Sequence, residues 1–423
     1  MRRWLIFRLS AEQWAWMLYD FANTSFSVII VTFVYAVYFR QIVVGGATNF
    51  GDLLWGVNGA ISMLLVACLA PLLGAWSDAA AARKRGLLAF SALCIAGTAL
   101  LARIGPGMVF AGMVLFISAN IAFEMGSVFY NAFLPQIAPP HLLHTLSGYG
   151  WALGYAGAVG VILLARPLLA GGLAPENLAN VRLSFFLTAL FFALFTLPAA
   201  LWLRERRERV DANPLPLFRA FKVGYRRWRQ TLREVRRHRR AARFLVAYCC
   251  YNEGITTVIY FSSIYASHTL GMSMDQLILF YLSVQTSGIV GAILFGWVGD
   301  WLGSKRTLTL TLVLWVVVIL GAFAARSRAL FSVVGLLAGL AIGSSQSTSR
   351  AMMASLLPAP QGAEFFGFYG VSGRLSAAVG PLVFGLVSSW TGSQRLAILS
   401  VLAFFVAGLI LVQGVPERDD APG

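Results

Sequence analysis

Apolar residues along this chain gather into twelve long stretches that are separated by short polar turns. A helix that crosses a lipid bilayer needs about 20 mostly apolar residues, and each stretch is close to that length. The pattern therefore predicts an all-α integral membrane protein with twelve transmembrane helices. The predicted spans, numbered in chain order, are roughly 13–39, 52–76, 86–104, 107–135, 147–170, 183–203, 244–268, 276–299, 307–325, 329–357, 366–390 and 395–414.

A short charged motif recurs in two of the turns between spans. A glycine and an aspartate four residues later end an apolar stretch, and basic residues follow, once in each half of the chain. The first copy contains Gly74, Asp78, Arg83 and Lys84, and the second contains Gly296, Asp300, Gly303, Lys305 and Arg306. Internal repeats of this kind are typical of transporters built from two similar membrane halves. We expect both copies, together with Arg374 of span 11, to form a cytoplasmic gate.

The repeat divides the chain into two six-helix halves. The predicted boundaries are 1–203 for the N-terminal half and 244–423 for the C-terminal half, joined by a linker over 204–243. Parallel six-helix repeats place a substrate site between the halves near the middle of the bilayer. The fold expected is therefore a 6+6 helical transporter fold.

Most of the net positive charge of the chain lies in the linker. Of the net charge of +16, residues 204–243 contribute 15 Lys and Arg against 4 Asp and Glu. Basic loops stay in the cytoplasm, so both termini are expected there, in the inner membrane of a bacterium. Apolar linker residues at helical spacing predict an amphipathic helix on anionic lipids. Nucleic-acid binding is the alternative for a basic run, but this run bridges two spans.

Composition excludes several classes of protein. Hydrophobic residues make up 58% of the chain and charged residues 12%, against about 25% charged residues in soluble domains. The four cysteines lie in predicted spans without the spacing of metal ligands. Nucleotide-binding turns and nucleophile–base sets do not occur in the context they require. We expect a monomer that is not an enzyme and that holds neither metal nor cofactor.

Polar residues within four spans are the candidate chemistry. An ionisable group at the bilayer centre costs about 2.5–3.5 kcal/mol, so such groups face a cavity or a partner. We expect the acids to bind a proton or the cationic group of a substrate, and the others to line its cavity, with Arg350 binding an anionic group. The alternative is a set of structural ion pairs. The acids are Asp20, Glu124 and Glu253, and the cavity residues are Asn23, Asn120, Asn131, Asn252, Gln346 and Arg350.

The repeated motif resembles the cytoplasmic loop motif of the major facilitator superfamily, although four alanines at 79–82 replace the usual basic residue and glycine. Finer patterns resemble the vacuole-effluxer-like branch, the autophagy-related amino-acid effluxers and their bacterial relatives. These patterns lie at 19–23, 131–135, 147–155, 251–254, 346–350 and 364–370. The resemblance implies alternating access and substrate handling by spans 1, 4, 7 and 10. Its eukaryotic members imply amino-acid export.

These observations predict a secondary transporter that moves a small polar organic solute, with amino acids as candidate cargo. Export driven by the proton gradient is the expected mode. Two alternatives stay open at this point. One is an exporter of amphipathic drugs, and the other is a non-transporting membrane sensor or scaffold whose output is the basic linker.

Overall fold

The fold is known from a computed structural model, which describes residues 9–46, 50–80, 83–137, 143–204, 239–355, 372–373 and 377–415. Within these residues twelve helical segments follow one another, and ten are long and apolar enough to cross a membrane. The prediction of an all-helical membrane fold is confirmed. The segments are α1 Ala11–Val43, α2 Phe50–Ala80, α3 Arg83–Leu101, α4 Val109–Ile137, α5 Leu143–Leu169, α6 Leu178–Trp202, α7 Arg239–His268, α8 Met274–Leu302, α9 Ser304–Ala324, α10 Arg328–Ser355, α11 Val379–Thr391 and α12 Gln394–Gln413.

Local sequence signals explain where several helices begin. Ser10 and Gln13 form a reciprocal capping box at the start of α1, and Ser273 and Gln276 form another at the start of α8. Such boxes satisfy N–H groups that have no partner inside the helix. Gly303 separates α8 from α9 with φ at +81°, a conformation that favours glycine. The second glycine of the repeated motif is therefore explained by a sharp turn.

Helix α1 is not regular along its length. Its first part, Ala11–Phe26, is α-helical, but Ser27–Thr32 and Phe39–Val43 are π-helical. Phe33 follows the first π segment with φ −120° and ψ −86°, outside the helical region. Each π segment widens the helix, and such segments are frequent at functional sites.

The helices form two compact units. The first contains Met1–Tyr35 and Cys68–Tyr225, and the second contains Ala36–Ala67 and Arg226–Gly423. In the first unit α1 packs against α5 and α6, and α3 packs against α4. In the second unit α8 packs against α10, and α7 packs against α12. The division into sequence halves at the linker stays a prediction.

Close packing of α8 on α10 depends on small residues. A Cβ atom at Gly339 would fall on the Ser287 hydroxyl, and one at Gly343 would fall on the carbonyl oxygen of Gly288. Because membrane helices associate by close backbone approach at small residues, these glycines allow the contact. They allow α8 and α10 to pack closely in the second unit.

Candidate functional site

The most informative side chain in the second unit is Glu253 of α7, which is 6% exposed. Its carboxylate accepts hydrogen bonds from the backbone N–H groups of Val379, at 3.2 Å, and Gly380, at 2.6 Å. These are the first residues of α11. The first N–H groups of a helix have no partner within it and carry the positive end of the helix dipole. Glu253 therefore caps α11 from another helix.

The sequence around residue 380 explains this contact. A Cβ atom at Gly380 would fall on the Thr257 hydroxyl and lie 2.7 Å from the carbonyl oxygen of Glu253. Glycine is therefore needed for α11 to approach α7 so closely. Pro381 comes next, and proline is well suited to a first helical turn because its missing N–H needs no partner there. The local sequence starts a helix against α7.

Asn252 contacts span 11 at a second point, before α11 begins. Its amide Nδ2 donates to the carbonyl oxygen of Gly373 at 3.0 Å. Nearby, the Cys249 thiol contacts the carbonyl oxygen of Ser372 at 3.7 Å. An amide donor thus meets the carbonyl oxygen of Gly373, and a carboxylate meets the N–H groups at the start of α11. Adjacent residues of α7 supply the two complementary groups, which tie α7 to span 11.

The Glu253 carboxylate is balanced by backbone dipoles. Among the described residues, no Lys or Arg side chain forms an ion pair with it. Charge-assisted hydrogen bonds from N–H groups at a helix start stabilise a carboxylate without a neighbouring cation. Gain or loss of a proton by this carboxyl group alters its hydrogen bonds to α11.

Asp20 of α1 is half-buried in the first unit. A Cβ atom at Gly154 of α5 would lie 3.4 Å from its Oδ2 atom, so the carboxylate lies against α5. The Thr24 hydroxyl donates to the carbonyl oxygen of Asp20 at 2.8 Å. One residue earlier, the Tyr19 hydroxyl is hydrogen-bonded to the Ser91 hydroxyl at 2.8 Å, which orients this part of α1.

The other predicted cavity residues differ in burial. Asn23 and Asn120 are buried, Glu124 and Gln346 are half-buried, and Asn131 is exposed. Near Gln346, the Ser349 hydroxyl is hydrogen-bonded to Tyr251 of α7 at 2.7 Å. The structure thus brings α10 and α7 together at Tyr251, next to Asn252 and Glu253.

The predicted gate motif is described only in part. Lys305 donates to the carbonyl oxygen of Gln413 at 3.0 Å, at the C-terminal end of α12. Gly296 and Arg306 are exposed, and Arg83 and Lys84 lie half-buried at the start of α3. Arg374 and the side-chain environments of Gly74, Asp78, Asp300 and Arg350 lie outside the described residues.

The sequence reasoning missed a buried ion pair between Arg40 and Asp52. Their Nε and Oδ1 atoms lie 3.0 Å apart, and both side chains are fully buried. In the sequence, Asp52 stands out only as an acid at the start of span 2. The signal available was Arg40 itself, an arginine placed at the end of a long apolar run.

Comparisons with known proteins place the sequence among membrane transporters. The sequence model of a family described as "Vacuole effluxer Atg22 like" matches residues 56–145 and 141–420. The uncharacterized MFS-type transporter YxiO of Bacillus subtilis is 30% identical over 421 residues, covering 97% of this chain and 96% of its own. Autophagy-related protein 22-1 of Penicillium rubens is 28% identical over 291 residues, which are 64% of this chain and 49% of that protein.

Solved structures of transporters have a similar fold. A point mutant of the nucleoside transporter NupG superposes with a TM-score of 0.72 at 11% identity, over 96% of this chain and 100% of that chain. The xylose transporter XylE from E. coli, in a partially occluded inward open conformation, superposes with a TM-score of 0.71 at 13% identity. That match covers 96% of this chain and 99% of XylE. At such identities the likeness concerns the fold alone.

Proposed function

Because this chain belongs to the Atg22-like vacuole effluxer family of the major facilitator superfamily, we propose that it exports small polar organic solutes, with amino acids as the cargo, in exchange for protons. Members of this superfamily are membrane transporters and not enzymes. The family description "vacuole effluxer" supports export. Amino-acid export by eukaryotic members supports the cargo class.

The observation that carries proton coupling is the contact between Glu253 and the start of α11. A proton on this carboxyl group removes the charge that the N–H groups of Val379 and Gly380 stabilise. Protonation therefore weakens the link between α7 and α11. A proton that enters from one side of the membrane would release α11, and its departure to the other side would restore the cap.

The remaining predicted residues take supporting roles in this proposal. Asp20 and Glu124 are further sites for a proton or for the amino group of the substrate, and Arg350 binds its carboxylate. The amide side chains of spans 1, 4, 7 and 10 line the path, and the two copies of the charged motif close its cytoplasmic end. The protein works as a monomer in the bacterial cytoplasmic membrane, with both termini inside and the basic linker on anionic lipid.

Flux from proteoliposomes tests the proposal. Liposomes that contain the purified protein are loaded with labelled amino acids, and efflux is followed with and without an imposed gradient of about one pH unit. Such a gradient supplies about 1.4 kcal/mol per proton. We expect the wild-type protein to release label faster under the gradient. The Glu253→Gln variant should retain exchange but lose the response to the gradient.

Glu176→Gln is the matched control, because Glu176 is an exposed acid in the Pro175–Asn177 turn. This variant should behave as the wild type does. Unchanged gradient dependence in Glu253→Gln would show that the proton does not act through Glu253. Failure of every amino acid to cross in the wild type would refute the cargo class.

A further inference from the structure

The buried pair Arg40–Asp52 is the centre of a larger polar cluster in the second unit. The Oδ2 atom of Asp52 accepts hydrogen bonds from the Ser388 hydroxyl at 2.5 Å and from the Gln394 amide at 2.7 Å. The Thr269 hydroxyl in turn donates to Gln394 Oε1 at 2.6 Å. Asp52 therefore joins the end of α1 and the start of α2 to α11 and α12.

Backbone packing brings the same elements very close together. A Cβ atom at Gly56 would fall on the carbonyl oxygen of Pro381, and one at Gly385 would lie 2.8 Å from the carbonyl oxygen of Asp52. The Trp55 indole N–H donates to the carbonyl oxygen of Tyr260 in α7 at 3.0 Å. Helix α2 thus crosses α11 with two glycines at the crossing point.

The segment that makes these contacts, residues 36–67, comes from the N-terminal part of the chain. The residues before it, up to Tyr35, and after it, from Cys68, pack in the first unit, yet this segment packs with the C-terminal helices. We call residues 36–67 the inserted hairpin. It joins the first unit shortly after the π-helical segment Ser27–Thr32, where α1 is irregular.

The chemistry of the cluster suits a contact that opens and closes. A buried ion pair is costly to desolvate, and replacing one with apolar residues of similar volume is often neutral or stabilising. When the surfaces that bury them separate, charged groups regain hydration, whereas the exposure of apolar groups costs free energy. An ion pair here therefore favours reversible closure over permanent closure.

We propose that Arg40, Asp52, Ser388 and Gln394 form a latch that holds the inserted hairpin in the second unit, and that transport requires this latch to open. This inference rests on the proposed transport function. In the closed latch, the inserted hairpin packs against α7, α11 and α12 within the second unit. When Asp52 separates from Ser388 and Gln394, the hairpin is released from these helices.

Hydrogen exchange tests the latch without a substrate. The protein is placed in lipid nanodiscs, and amide exchange of peptides from residues 50–67 is measured by mass spectrometry. We expect Asp52→Asn to speed exchange in these peptides about 100-fold, because removing one partner of a buried pair strongly favours the open state. Asp275→Asn is the control, since Asp275 is an exposed acid in the first turn of α8. Equal exchange in both variants would overturn the proposal.

A second variant tests the need for opening, and it keeps the test valid if Asp52→Asn folds poorly. Arg40→Met and Asp52→Leu are combined with Ser388→Ala and Gln394→Leu, so that all four latch side chains become apolar and Ser388 and Gln394 do not remain as buried donors without their acceptor. We expect slow exchange in residues 50–67, as in the wild type or slower, together with loss of solute flux. Wild-type flux in a variant whose hairpin stays protected would show that opening is not required. If the wild-type protein itself moves no amino acid, the proposed cargo fails while the exchange result still decides the latch.

Discussion

Asp20 and Glu253 occupy comparable positions in α1 and α7, but the helices they meet are different. Asp20 lies against Gly154, in the middle of the continuous helix α5. Backbone N–H groups in a helix interior are already bonded within the helix. Glu253 meets Val379 and Gly380 at the start of α11, where such groups need an external partner. Glu253 thus caps a helix start, whereas Asp20 lies beside the interior of a continuous helix.

The comparison between Asp20 and Glu253 distinguishes a contribution to folding stability from a contribution to transport. A carboxylate that caps a buried helix start contributes to folding as well as to any proton transfer. A carboxylate beside the interior of a continuous helix does not stabilise that helix by capping it. We therefore expect the two acids to respond differently to the same substitution.

The largest expected effect distinguishes Glu253→Ala from Asp20→Ala. Loss of the Glu253 carboxylate leaves the buried N–H of Gly380 and the part-buried N–H of Val379 without this acceptor, which should lower the free energy of unfolding by about 2–4 kcal/mol. Asp20→Ala should lower it less, because the N–H groups of α5 around Gly154 are bonded within that helix. Unfolding in mixed micelles with increasing SDS measures both values. Equal losses would remove the distinction between the two acids.

A somewhat smaller effect is expected at two tight helix contacts, one in each unit. A Cβ atom at Gly157 would fall on the carbonyl oxygen of Phe21, just as one at Gly380 would fall on Thr257. Gly157→Ala and Gly380→Ala should each lower the free energy of unfolding by about 1–3 kcal/mol, because both overpack a helix contact. The same denaturation experiment measures them.

Gly160→Ala is the control for this pair, since a Cβ atom there would lie 3.8 Å from the Phe21 ring, in ordinary contact. It should change stability by less than about 0.5 kcal/mol. If Gly157→Ala is as mild as Gly160→Ala, the close approach of α5 to α1 is not needed for folding.

The smallest expected effect tests whether burial sets how much a contact at a helix end stabilises the protein. Lys305 binds the carbonyl end of α12 at the protein surface, whereas Glu253 binds a helix start in the interior. Lys305→Met should lower the free energy of unfolding by only about 0.3–1 kcal/mol, and added salt should reduce the difference. Arg306→Met, at an exposed neighbour, should have no measurable effect. A loss at Lys305 as large as that at Glu253 would mean that burial does not set the magnitude.

Much of the fold follows from the sequence because the bilayer imposes a simple rule. Apolar stretches of membrane length become helices, so the helical segments appear where hydropathy places them. Gly303 was also recognisable, because a glycine between two spans signals a sharp turn. Asn252 and Glu253 stood out because polar residues are costly inside a membrane.

What each polar residue contacts was not predictable from these rules. Hydropathy reads span 11 as one stretch. Gly380 and Pro381 are compatible with a helix start there, but nothing in the sequence indicates that Val379 faces Glu253. The partners of Asp52 are 336 and 342 residues away in sequence, at Ser388 and Gln394. Hydropathy carries no information about such distant pairs, and it does not detect the π-helical segments of α1 either.

The sequence distance between Asp52 and its partners has a consequence for the order of synthesis. Arg40 is made before Asp52 and is available as soon as α2 enters the bilayer. Ser388 and Gln394 are made 336 and 342 residues after Asp52. Until then the inserted hairpin has its ion pair and, once α7 is made, the contact between Trp55 and Tyr260, but it lacks its partners in α11 and α12. The polar cluster can therefore be completed only after α11 and the start of α12 have been made.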